Sequence, residues 1–364
     1  MEFVTSYSQI EEQIEKIDVT EYAKTRNYFN GSVSCLSPYI SRGVISLPFL
    51  KERILQKNTF SESYRFIYEL AWREYFQRVW WRHKDEILTD LKSKQEKVTH
   101  DHLIKNIAEA KTGIQAVDLQ IEQLYSYGYM HNHARMYTAS LVCNIGQSHW
   151  RNSAKWMYYH LLDGDIASNY LSWQWVAGCF STKKYYCNQE NINTYSKTNQ
   201  INTFLDHSYE KISDIPVPLE LSEATQIEFT TELPTQQNIQ LDHSLPLLIY
   251  NSHSLDPLWR KSMKANRVLV LEPSHFKKFL VSKKVMDFIL ELSHTIPDIL
   301  LWVGEVNDIP YLSKYPSIHS KSHPASIHYP GSKDEVEWMF PAIELQNSFT
   351  SFWKACEKTL TIKP

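Results

Sequence analysis

The sequence predicts a mainly α protein: an all-helical domain followed by a small C-terminal α/β domain. Three observations carry that expectation. Only 9 of 364 residues are glycine, and runs with apolar residues three and four apart recur through the first 204 positions, the period of helices that bury one face. Residues 205–243 are rich in Pro, Thr, Glu and Gln, the composition of a linker. Beyond it, short apolar runs at 245–250, 267–272 and 299–304 alternate with helical stretches, as buried parallel strands with crossover helices do. The expected boundaries are 1–204 for the helical domain, 205–243 for the linker and 244–364 for the α/β domain.

Composition narrows the function classes. The net charge is −3; the part through Phe204 has 23 Lys and Arg against 21 Asp and Glu, a net of +2, and the remainder a net of −5. This balance gives no global argument for a polyanion and places one weakly on the first part. The five cysteines are scattered, odd in number and form no CxxC pair, which points to a reducing compartment and away from a disulfide framework, zinc or an iron–sulfur cluster. Neither GxGxxG nor GxxxxGK[ST] occurs, so no dinucleotide or P-loop fingerprint is expected. The opening MEFVTSYSQIEEQIEKI carries acidic residues and no long apolar run, unlike a signal peptide. No segment is apolar for long enough to span a bilayer, and a cytoplasmic location is expected. The 11 Trp, 22 Tyr and 15 Phe are core by default, and they are also the side chains that stack on rings and relay electrons.

Residues 5–25 read as a helix, with Ile10, Ile14 and Ile17 on one face. The segment Gly31–Pro38 reads as a turn opening a helix, either a capped turn or an anion site built from hydroxyls and backbone N–H groups. Residues 61–83 form a long helix in which Glu69, Trp72, Arg73 and Phe76 share a face. That face is an ordinary amphipathic stripe with a Glu–Arg pair, or a binding surface. Residues 84–112 read as a solvated connection and 113–127 as another helix. His131 and His133, two apart, do not share a helix face and are not a metal pair. Lys183 and Lys184 beside Tyr185 and Tyr186 read as a basic–aromatic edge for nucleic acid or as a solvated loop. In the last domain, helices are expected near 254–264, 282–294 and 346–359.

The stretch Tyr127–Cys179 is the most informative. Asn132, Arg135, Met136 and Ala139 line one helix face; Asp163, Asp165, Asn169, Trp173 and Trp175 follow. A core helix has no need of Arg, Asn and two aspartates beside so many rings, because buried ionic groups are costly unless paired or held by a ligand. The motifs MHNHARM, DGDIASN and WQWVAG, in that order, resemble the FAD-binding domain of the photolyase/cryptochrome family. RNYFNGSVSCLSPYISRGVIS resembles its flavin-diphosphate segment and YELAWREY its substrate-contact helix.

The resemblance implies FAD as cofactor, contacted by Tyr22, Ser34, Leu36 and Ser37, by Arg135 paired with Asp163, by Asp165 near the ring and by Asn169 facing flavin N5. It implies that Glu69, Trp72, Asn132, Met136 and Trp175 meet a DNA lesion. Asn132 with Met136 is the pattern of enzymes for cyclobutane pyrimidine dimers, whereas (6-4) enzymes tend to have His there. Arg26, Arg73, Lys183 and Lys184 are the implied DNA contacts, with Arg42 a further candidate. Trp150 and Trp173 match two members of the family's electron-relay triad; no tryptophan stands between Trp81 and Trp150 for the third. Val33 and Cys35 depart from the family's usual Thr and basic residue, so phosphate anchoring is expected to rest on backbone N–H groups. The domain order departs too, since an α/β antenna domain normally comes first. A shortened or rearranged antenna domain is one reading of 244–364, and no antenna chromophore follows from it.

The implied function is light-driven repair of UV-damaged DNA, single- or double-stranded: a deoxyribodipyrimidine photo-lyase that splits cyclobutane dimers with an electron from photoexcited reduced FAD. The rival is a cryptochrome-like blue-light sensor without repair activity. A third reading is a helical binding protein without flavin. No metal, membrane or protein partner is implied.

Overall fold

The computed structural model describes residues 2–361. Two compact units emerge: Met1–Ile17 with Ser34–Tyr75 and Phe229–Pro364, and Asp18–Val33 with Phe76–Glu228. The fold is mainly α with a parallel sheet.

The second unit is helical. Its main helices are Gln115–Tyr127, Asn132–Ser140, Trp150–His160 and Ile166–Ala177. The third helix starts at the acceptor side chain of His149, and the fourth at that of Asp165, which takes the Ser168 N–H. The segment of MHNHARM runs on through a π turn at Leu141–Ile145. The connection 84–112 contains strand β1, Leu103–Ile104, which pairs antiparallel with β2, Ala224–Thr225. Residues 220–225, assigned to the linker from composition, are therefore an ordered edge of this unit. Asn106 Nδ2 also donates to Glu220 O at 2.8 Å, and the Lys105 N–H to Glu223 O at 2.8 Å. The single helix expected over 5–25 is two, Tyr7–Glu15 and Val19–Thr25. Asp18 breaks it by accepting the N–H groups of Thr20 and Glu21 at 2.9 and 2.8 Å, the geometry of an N-cap.

The first unit holds five parallel strands: β3 (Leu247–Tyr250), β4 (Asn266–Leu271), β5 (Ile299–Val303), β6 (Ile318–Lys321) and β7 (Ser332–Asp334), in the order β5-β4-β3-β6-β7. The chain builds outward from β3 to β5, then returns to add β6 and β7 on the other side of β3, a doubly wound order. The three expected strands are present. β6 and β7 were not expected because IHSK and SKD carry no apolar run. The helices Lys283–Ser293 and Phe349–Thr361 meet expectation. The one over 254–264 does not: these residues form turns. Asp256 Oδ1 accepts the Leu258 N–H at 2.8 Å across Pro257, and Trp259 and Arg260 are drawn to Asp334 at 2.7–3.0 Å. A local side-chain bond and a proline at the start outcompete helix nucleation.

The units do not follow the boundaries expected at 204 and 243. The cause is aromatic. Helix Phe60–His83 turns Tyr64, Tyr68, Trp72 and Tyr75 toward the C-terminal helix, which answers with Phe349, Phe352 and Trp353. Trp353 Nε1 donates to Tyr64 Oη at 2.9 Å, and Tyr75 lies over Phe352 at 5.6 Å. Glu74, fully buried, accepts the main-chain N–H groups of Met339 and Phe340. Rings of this size dominate burial energy, so the N-terminal helices fold with the C-terminal third of the chain.

Candidate functional site

The second unit assembles the acidic turn. Arg135, on the Asn132–Ser140 helix, donates through its Nη2 to both oxygens of Asp163 at 2.9 and 3.1 Å, and through Nε to Met130 O at 2.8 Å. The Asp163 carboxylate is 4% exposed, so this pair neutralises a charge that would otherwise be stranded. Asp165 caps the next helix through Oδ1 and accepts Gln77 Nε2 on Oδ2 at 2.6 Å. Asn169 is buried at 9% exposure; its Nδ2 donates to Ala154 O at 2.9 Å. The amide is thereby oriented with Oδ1 as its remaining acceptor. The Ser168 hydroxyl in the same turn is buried without a hydrogen-bond partner. Such orphaned groups are uncommon and mark unfilled bonding capacity.

The other expected residues of this unit lie as follows. Asn132 is exposed and Met136 half-buried on the same helix. Trp175 is half-buried, its ring tilted 6.0 Å from Tyr185. Trp150 and Trp173 are buried. Tyr22, in the middle of the helix Val19–Thr25, and Arg26, which follows its end, are half-buried. Lys183 is exposed, whereas Lys184 donates to Glu96 O at 3.0 Å; burial lowers its pKa from the usual lysine value. His133 is held between Asn27 O at 3.0 Å and Tyr185 Oη at 3.4 Å, and burial pushes it below the usual imidazole pKa.

In the first unit, Ser34 Oγ faces the Leu36 N–H at 3.5 Å, Cys35 is in the left-handed region at φ 52°, Leu36 is buried, and Ser37 opens the short helix Ser37–Ser41. Glu69 lies 3.7 Å from Arg65. Arg73, expected on phosphate, donates to Ser41 Oγ. Trp72 stacks on Phe349 with ring centroids 3.6 Å apart and planes at 14°. The ring expected to face a substrate thus has one face covered by the C-terminal helix. Gln77 was missed by sequence reasoning, although it lies one turn beyond Arg73; Phe349, far along the chain, gave no signal.

Residues 66–243 match the family described as the FAD-binding domain of DNA photolyase. This part of the chain belongs to the photolyase/cryptochrome family. It is similar to the deoxyribodipyrimidine photo-lyase of Streptomyces griseus, 34% identical over 151 residues covering 40% of this chain and 32% of that protein. It is also similar to the cryptochrome DASH of Natronomonas pharaonis, 29% identical over 234 residues covering 58% and 48%. Among solved structures, the Synechocystis cryptochrome superposes with a TM-score of 0.49 at 23% identity, covering 54% of this chain and 44% of that one. The chain thus spans about a third to a half of the length of these relatives.

FAD is accordingly the cofactor of this photolyase-type domain, and the acidic turn fits it. A neutralised Arg135–Asp163 pair, an oriented Asn169 amide and an unpartnered Ser168 hydroxyl offer a polar edge without excess charge, as a flavin ring with alternating donors and acceptors requires. No helix among the described residues is long and apolar enough to cross a membrane.

Proposed function

We propose that this chain is a light-driven DNA-repair flavoprotein, a deoxyribodipyrimidine photo-lyase acting on cyclobutane pyrimidine dimers. The observation that carries the reading is the oriented amide of Asn169. With Nδ2 held by the Ala154 carbonyl, Oδ1 is the atom available to the flavin edge, and a carbonyl accepts from the N–H that a reduced flavin bears at N5. When bound, reduced FAD supplies the light absorption and the electron for dimer cleavage.

The protein binds and positions. In this reading Arg135 and Asp163 hold the ring edge, Asp165 is steadied by Gln77, and Tyr22, Ser34, Leu36 and Ser37 serve the rest of the dinucleotide. Asn132 and Met136, exposed and half-buried on one helix face, contact the lesion edge, and Trp175 stacks on it. Glu69 and Trp72 have the same role. A hydrogen-bond donor beside a dimer that gains an electron stabilises the developing negative charge. Extruding the dimer costs less than extruding a paired base, because the damaged step is already poorly stacked. Arg26, Lys183 and Lys184 supply phosphate contacts. Trp173 and Trp150 relay electrons to oxidised flavin.

The second reading, blue-light sensing without repair, is favoured by the stacking of Trp72 on Phe349, which withdraws one face of a substrate-contact ring. A light-minus-dark assay separates the two. Reduced holoprotein is mixed with a dimer-containing oligonucleotide, single- and double-stranded, and dimer loss is followed by chromatography. Loss only under blue light is expected; no loss with FAD bound and reduced leaves the sensor.

A further inference from the structure

Trp150 is wholly buried, yet its indole N–H meets a carboxylate. Asp90 Oδ1 accepts Trp150 Nε1 at 2.7 Å and lies 3.1 Å from His149 Nε2; Oδ2 accepts the Gln95 N–H at 3.0 Å. Gln95 Oε1 in turn accepts the main-chain N–H of Trp150 at 3.0 Å. Gln174, the residue after Trp173, fastens the same loop: its Oε1 accepts the Leu91 N–H at 3.0 Å and its Nε2 donates to Ile87 O at 2.7 Å. Trp150 is therefore fixed at both of its N–H groups, and the loop carrying its acceptor is tied to the helix carrying Trp173.

A buried indole needs only a neutral carbonyl as partner. A carboxylate adds charge and basicity. Burial pushes the Asp90 carboxyl up, but the hydrogen bonds from Gln95 and Trp150 and the neighbouring His149 outweigh it and hold the group below the usual carboxylate value. Asp90 is thus ionised at neutral pH. Its side chain is 19% exposed while the indole is not exposed at all, so a proton received from the ring has a way to solvent.

We propose that Asp90 takes the indole proton of Trp150 when that tryptophan is oxidised, so that the relay ends on Trp150 without a third tryptophan. The inference rests on the relay reading given above. An electron leaves Trp173 for photoexcited oxidised FAD, and one from Trp150 refills Trp173. The N–H bond of Trp150 breaks and an O–H bond forms on Asp90. Trp150 has lost one electron and one proton, the flavin has gained one electron, and Asp90 holds the proton. A thiolate in solution then gives one electron to Trp150 and becomes a thiyl radical, and Asp90 returns the proton to the indole nitrogen.

Transient absorption of the oxidised holoprotein after a blue flash tests this, because the neutral indolyl radical and its protonated cation have different spectra. Wild type is expected to give the neutral radical, forming more slowly in D2O. Asp90→Asn keeps an acceptor oxygen of the same size but no base. It is expected to leave the protonated cation, whose lifetime falls about ten-fold or more, the factor expected for a lost charge-assisted hydrogen bond. Only the protonated cation in wild type, or the same species and lifetime in Asp90→Asn, overturns the inference while leaving the relay intact. Absence of any tryptophan radical overturns the relay reading and this inference with it. If the variant does not fold, the D2O comparison on wild type decides.

Discussion

At the scale of single residues, the Arg135–Asp163 pair is the strongest electrostatic commitment of the second unit. Arg135→Ala leaves a carboxylate that is 4% exposed without its cation, which should cost about 3–5 kcal/mol. Urea denaturation should register that loss, together with a drop in bound FAD. Glu69→Gln should instead retain full flavin content and lower the dimer-repair yield; equal yields would count against its substrate role. A third residue-scale effect belongs to the histidines beyond β3. His253 is buried and His275 half-buried, their rings 5.4 Å apart, and His323 stacks on His253 at 4.6 Å. Burial first, then His323 and Arg42, pushes His275 down to about 3 and His253 well below the usual value. The unfolded chain binds protons near pH 6.5 that these folded rings refuse. Stability should therefore be level above about pH 7 and fall as the pH drops from about 6.5 toward 3, read as urea midpoints at pH 7.5, 6 and 5. His275→Gln should flatten part of that slope.

At the scale of elements, the C-terminal helix matters most. Phe349 is 5% exposed and lies against Trp72, Tyr68 and Tyr75. Phe349→Ala should cost about 3–5 kcal/mol, the range for emptying a buried phenylalanine site. It should also shift Trp72 emission to the red, seen as the difference between spectra with and without Trp72→Phe. Sequence periodicity read the long helix 61–83 and most of its neighbours correctly, because a 3.6-residue apolar repeat is visible without knowing what it packs against. It missed β6 and β7, where the pairing of β6 with β3 and of β7 with β6 substitutes for apolar content. It drew a helix at 254–264, where Asp256, Pro257 and a distant Asp334 impose turns.

At the scale of the molecule, the expected domain boundaries yield to the aromatic face. A truncation after Phe204 removes Phe349, Phe352 and Trp353 from Tyr64, Tyr68 and Tyr75. It should give an aggregating or protease-sensitive product, whereas the full chain resists; a stable, soluble 1–204 fragment would refute this. The sequence by itself determined the family, the cofactor, the mainly α class and the order of the motif residues, because those rest on local periodicity and on residue types at fixed spacing. Which partner each side chain takes was decided by tertiary structure. Trp72 against Phe349, Arg73 on Ser41, Gln77 on Asp165 and Asp90 on Trp150 join positions from 32 to 277 residues apart, and a hydrogen bond or ring stack at that separation leaves no mark on either local pattern.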